Sequence, residues 1–170
     1  MMKNSIRPLF GSSLVRSTTF ILCAAVVSGC GGTGGSCPTS FLPKPPYTAP
    51  ETLSTAAYTG NLTNPDAAPQ YRTRIISVRF TQNGNQVRAV FTVRTTDGEY
   101  VSTTSYDGII TGQTIYLQAT GRTGDKIPGH NPCECMTMTL SKEADRDAYN
   151  GSWSSTTCKQ GGWVTMGIGQ

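Results

Sequence analysis

Residues 72–95, RTRIISVRFTQNGNQVRAVFTVRT, alternate apolar and polar positions on either side of an Asn-Gly pair. Period-two alternation sends successive side chains to opposite faces of a strand, and Asn-Gly between two such runs is a strong hairpin signal. With Asn83-Gly84 as a two-residue turn, Phe80, Val78 and Ile76 meet Val87, Ala89 and Phe91 on one wholly apolar face. Arg79 and Arg88, Thr81 and Gln86, and Ser77 and Val90 then face each other on the solvated side. The pattern continues. Asp97-Gly98 leads into EYVSTTSYDGIITG, and Gly112-Gln113 into TIYLQATG, where Ile115, Leu117 and Ala119 alternate with Thr114, Tyr116 and Gln118. After a loop rich in Gly and Pro come CECMTMTLS, AYNGSWSS and WVTMGI. No stretch has the spacing of an amphipathic helix. Residues 57–170 are therefore expected to be all-β, a small antiparallel meander of eight or nine strands closed into a β-barrel, because closure removes both sheet edges. A two-sheet β-sandwich is the alternative.

The N-terminal region has a different pattern. Lys3, Arg7 and Arg16 precede an unbroken apolar run, Phe20–Val27, that stops at Ser28-Gly29. A basic stretch, a short apolar stretch and small residues are the order of a secretory signal, and the run is too short to span a bilayer. Its end, Val27-Ser28-Gly29-Cys30, resembles the lipobox of bacterial lipoproteins. The resemblance implies removal of residues 1–29, a diacylglycerol on the Cys30 sulfur and a fatty acyl group, such as palmitate, on its new amino terminus. Two or three chains make a lasting membrane anchor where one does not. Gly31 after the cysteine resembles lipoproteins sent to the outer membrane, which implies a lipid-anchored protein of the cell envelope facing the periplasm.

Residues 30–56 read as a tether. Four glycines fall within residues 31–35 and five prolines between Pro38 and Pro50, a flexible segment followed by a stiffer, extended one. The strands beyond it resemble the calycin-type barrels of the lipocalin and avidin group in beginning with a glycine and an aromatic, as at Tyr58-Thr59-Gly60 and Asn150-Gly151-Ser152-Trp153. That resemblance implies an eight-stranded barrel whose interior is either filled or holds one small ligand.

Charge narrows the partners. Three of the 14 Lys and Arg precede the apolar run, leaving 11 against 10 Asp and Glu, so the mature domain lacks the cationic excess that drives nucleic-acid binding. Of six cysteines, Cys23 lies within the signal and Cys30 takes the lipid. Cys37, Cys133, Cys135 and Cys158 remain for two disulfides in an oxidising compartment, Cys158 with Cys133 or Cys135 and the other with Cys37. The rival is a metal site of His130, Cys133, Cys135 and Cys158, but one residue separates Cys133 from Cys135 where zinc ligands usually stand two or more apart. No metal or cofactor is expected.

Catalytic chemistry is sparse. His130 is the single histidine, no Gly-x-Ser-x-Gly elbow or Ser-x-x-Lys motif occurs in the mature region, and the carboxylates of Glu143, Asp145 and Asp147 fall in a polar turn. The chain is therefore not expected to be an enzyme. The first functional expectation is a non-enzymatic binding module for a small apolar or amphiphilic ligand, lined by Ile76, Val78, Phe91, Leu117 and Trp153. Tyr100, Tyr106, Tyr116, Trp153 and Trp163 are candidates for a cavity mouth, and Arg79 beside Arg88 for contact with an anion or a partner. The second expectation is an envelope structural or protein-interaction module with a solid core, as in inhibitor-like barrels. A cavity lined by the five named residues favours the first expectation, and a filled interior the second.

Overall fold

The computed structural model describes residues 41–127 and 135–169. Eight strands follow one another around a closed antiparallel barrel: β1 (Tyr58–Thr63), β2 (Thr73–Asn83), β3 (Gln86–Thr95), β4 (Val101–Thr111), β5 (Thr114–Gly124), β6 (Met136–Lys142), β7 (Ala148–Ser155) and β8 (Gln160–Gly167). Each pairs with the next, and β1 pairs with β8 through Thr59↔Gly167 to Leu62↔Val164, so no strand edge is left over. A short 3-10 turn, Pro69–Tyr71, is the helical element among the described residues. The expected all-β meander is therefore present, with eight strands and a barrel in place of the sandwich.

The first hairpin forms with a register different from the expected one. Gly84, at a φ of 57°, takes the first of two turn positions, so Asn83 pairs with Gln86 and Val78 with Phe91. A turn whose first position needs positive φ accepts glycine there, and this outweighs the Asn-Gly arrangement that would put glycine second. The shift amounts to two residues. Because side chains alternate with period two, every residue keeps its face and the apolar set still points inward. The pairing of Arg79 with Arg88 is lost. Arg79 stands opposite Val90, and Arg88 stands opposite Thr81 and, on its other side, Asp107, whose Oδ1 accepts a hydrogen bond from Nε at 2.9 Å.

Inward positions build one continuous core of Tyr58, Ile76, Val78, Phe80, Ala89, Phe91, Tyr106, Ile110, Ile115, Leu117, Met138, Leu140, Tyr149, Val164 and Met166, all buried. One end of the barrel, the base, is closed. Edge-on contacts of Tyr58 with Phe80 (5.4 Å) and Tyr149 (5.7 Å) fill it from within. The Tyr58 hydroxyl donates to Asp147 Oδ1 at 2.8 Å and accepts from the Ser54 amide at 3.3 Å.

From outside, the last part of the segment read as tether lies across the base. Leu53 is buried, its amide donates to Gln82 Oε1 at 2.8 Å, and Gln82 Nε2 donates to the Glu51 carbonyl at 2.9 Å. The Glu51 amide donates to the Gly112 carbonyl at 2.8 Å, and its carboxylate pairs with Lys142. The Thr48 amide donates to Thr111 Oγ1 at 2.9 Å, and Phe41 meets Tyr116 edge-on at 6.2 Å on the outer wall. Thr48–Leu53 is thus an extended clasp over the base, ahead of the first strand.

Candidate functional site at the barrel mouth

The opposite end is open. There residues from all eight strands and from the segment after β5 surround a cavity of about 50 Å³. Its apolar wall includes Leu62, Val93, Ile127, Met136 and Trp153, and its polar wall Ser102, Thr104, Tyr106, Arg74, Arg122 and Lys126. That volume holds a few waters or one small polar group, and is far below the roughly 300–1,000 Å³ of a site that engulfs a drug-sized ligand.

Arg122 reaches the mouth, where it stays exposed, through an irregularity. Ile115, Leu117 and Ala119 point inward along β5, so unbroken alternation would turn residue 122 to solvent. Tyr106 pairs with Ala119 but Ser105 pairs with Gly121, leaving Thr120 as one extra residue, and Thr104 then faces Arg122. A bulge of this kind re-aims the side chains beyond it. The Thr120 hydroxyl secures it by donating to the Ser105 carbonyl at 3.2 Å. On the inward side Arg122 Nη2 donates to Ser102 Oγ at 3.3 Å.

Arg74 stands on the inward face of β2 near the strand's start, its Nε donating to the Tyr71 carbonyl at 3.2 Å. Burial, and after it the positive charge of Arg122, holds its pKa below the ordinary arginine value. The two guanidinium groups therefore feel each other. Among the described residues, no carboxylate stands within ion-pair distance of Arg74, Arg122 or Lys126. The neighbouring Asp125 instead accepts from the Val101 amide at 2.9 Å.

Two aromatic side chains form the floor. Tyr106 is buried and its phenol is pushed well above the ordinary value by desolvation, with the charge of Arg122 pulling the other way. Its hydroxyl reaches the Met136 sulfur at 3.9 Å, a weak acceptor. Trp153 is locked across the β1–β8 side by its indole Nε1, which donates to the Thr63 carbonyl at 2.9 Å. Asn64, buried beside it, is satisfied through Gln160 Oε1 at 3.0 Å and the Asp66 amide at 3.1 Å.

The residues expected to line a ligand cavity divide. Ile76, Val78, Phe91 and Leu117 come together, but as closely packed core, and they do not line the mouth cavity. Trp153 alone of the five does. Of the other aromatics, Tyr106 lines the mouth, Tyr100 packs against Tyr71 at 6.0 Å, Tyr116 lies outside against Phe41, and Trp163 is 66% exposed. Arg79 and Arg88 lie on the outer wall, away from the mouth. The positions missed by sequence reasoning are Arg74 and Arg122. Gly121 and Gly124, flanking Arg122-Thr123, were the available signal, since glycines inside a strand often mark a bulge.

Cys135, at a φ of 52°, is buried just before β6, and Cys158 lies in the β7–β8 turn at the same end of the barrel. Cys30, Cys37, His130 and Cys133 fall outside the described residues, so the lipid site and the rival metal set do too. Among the described residues no group of three or more His, Cys, Asp or Glu has the geometry to hold a metal ion. In comparisons with known proteins, no family model, no curated protein and no solved structure matches the chain.

Proposed function

We propose that this protein is a lipid-anchored lipoprotein of the bacterial cell envelope, facing the periplasm, and a non-enzymatic binding module whose site is the mouth of the barrel. Support for the anchor is the order of basic, apolar and small residues ending at Val27-Ser28-Gly29-Cys30. Support for binding is one observation: among the described residues the barrel's interior is filled by a continuous core, and at one end polar and apolar walls meet around an unfilled volume of about 50 Å³. Such a mouth receives the end of a ligand and leaves the rest outside, which fits an amphiphile better than an engulfed apolar molecule. Cys135 and Cys158 at the rim belong in this reading to two disulfides with Cys37 and Cys133 that brace the mouth.

The filled interior favours a second reading, an envelope protein-interaction module that uses the same mouth or the outer strands to grip another protein. Native mass spectrometry of the full chain, extracted in a non-ionic detergent, separates them. A retained small molecule that is lost in Val93→Trp, a substitution that fills the mouth, supports the binding module. A bare mass, or an adduct indifferent to Val93→Trp, overturns it. For the anchor, Cys30→Ser is expected to abolish the lipid mass and release the protein from membranes. A variant that still fractionates with membranes contradicts the lipidation.

A further inference from the structure

We propose that the mouth recognises a single oxyanion group, the anionic head of an amphiphile or a free anion, held between Arg74 and Arg122 with the Tyr106 hydroxyl as a third donor. The proposal deepens the mouth-binding reading and rests on it.

Three observations converge. First, the bulge at Thr120 spends an extra residue to turn Arg122 from the outer wall to the mouth side of β5, where its side chain stands exposed at the rim. Second, Arg122 arrives beside another arginine, already part-buried, with no described carboxylate to compensate either charge. Two neighbouring cations, Arg74 part-buried and Arg122 at the rim, repel each other and attract an anion that would stand between them. Third, each group keeps donors to spare. Arg74 uses Nε on Tyr71, Arg122 uses Nη2 on Ser102, and Tyr106 has only a thioether in reach. A guanidinium carries five N–H donors in a planar fork suited to carboxylate and phosphate oxygens, so most of that capacity remains.

Volume sets the size of the guest. A cavity of about 50 Å³ suits one phosphate or carboxylate head and excludes an acyl chain. Leu62, Val93 and Ile127 beside the cations give a departing chain an apolar exit, and Lys126 at the exposed rim adds long-range attraction.

The test uses the full chain in a non-ionic detergent with Trp163→Phe, which leaves Trp153 on the cavity wall as the sole tryptophan. Inorganic phosphate is titrated at constant ionic strength against chloride, then a short-chain phosphatidic acid, with binding heat followed in parallel. Saturable binding is expected, weakened about tenfold or more by Arg122→Gln and less than about threefold by Lys126→Gln. Phosphatidic acid binding at least about tenfold tighter than phosphate identifies the guest as an amphiphile, and equal affinity a free anion; both support the oxyanion site. Binding unchanged by Arg122→Gln, or matched by an uncharged diacylglycerol of the same chain length, overturns the oxyanion site while the mouth reading stands. No binding of any of the three probes, together with a bare native mass, overturns both.

Discussion

Arg74 and Arg122 line one cavity and repel each other with no carboxylate between them, so Arg122, exposed at the rim, is expected to contribute to what the mouth does and not to how firmly the barrel holds together. Replacing it with Gln gives up one exposed 3.3 Å hydrogen bond to Ser102 and removes the repulsion with Arg74. Thermal unfolding of Arg122→Gln is therefore expected at an unchanged melting temperature or one raised by a few degrees, roughly what 1 kcal/mol or less produces in a domain this size. A fall of more than about 5 °C would make Arg122 a structural strut. Trp153 has the reverse balance: buried, and bonded to the Thr63 carbonyl across the β1–β8 side, it is expected to cost about 3–5 kcal/mol when replaced by Ala, measured by chemical denaturation. At this scale the sequence was only partly legible. Trp153 and Tyr106 stood out as aromatics, but Arg122 sits at outward parity until the bulge at Thr120 is known, and Arg74 has no local feature separating it from Arg79. A bulge is decided by how two strands meet, which one strand's composition does not contain.

At the level of elements, the hairpin and the clasp carry different lessons. Alternation in β2 and β3 defined which residues face inward, and that survived a two-residue change of register because the period is two. What alternation does not define is who stands opposite whom, and so the Arg79–Arg88 juxtaposition gave way to the Arg88–Asp107 pair. The clasp was hidden by composition. The prolines that run up to Pro50 read as a spacer, yet Leu53 is buried and Glu51 meets Lys142. The Glu51 carboxyl is held below the usual carboxylate range, first by the hydrogen bond from Lys142 and then by its charge. A depressed carboxylate contributes stability that is present above its unfolded pKa and lost as pH falls through the folded one, so the clasp is expected to loosen below about pH 4. Hydrogen exchange at residues 48–54 should rise as pH drops through that window, after correction for intrinsic rates. Glu51→Gln should flatten the dependence; a profile identical to wild type would mean that the ion pair does not hold the clasp.

Across the whole molecule, the barrel depends on its closing seam. β1 and β8 approach so closely that a Cβ on Gly60 would lie 1.9 Å from the Thr165 carbonyl oxygen, and one on Gly162 1.8 Å from that of Thr63. Either Gly→Ala change must push backbone apart, and each is expected to cost ~1–3 kcal/mol or more, with the seam amides losing exchange protection first. The closed meander itself was legible from residue 57 onward, because turn glycines and alternation are local signals that repeat around the barrel. Whether the inside is hollow was not legible, since a cavity and a core need the same inward residues. The structure fills it with large side chains and leaves space at one end. Methionines placed at both ends of that interior make the distinction measurable: Met136 lines the mouth, and Met166 is buried in β8, paired with Gly60 and Tyr149. In methyl-labelled NMR spectra of the full chain titrated with a short-chain phosphatidic acid, the Met136 resonance is expected to shift saturably while Met166 stays in place. A shift of Met166 equal to that of Met136 would show the ligand entering the barrel, and silence of both would show that the mouth does not bind it.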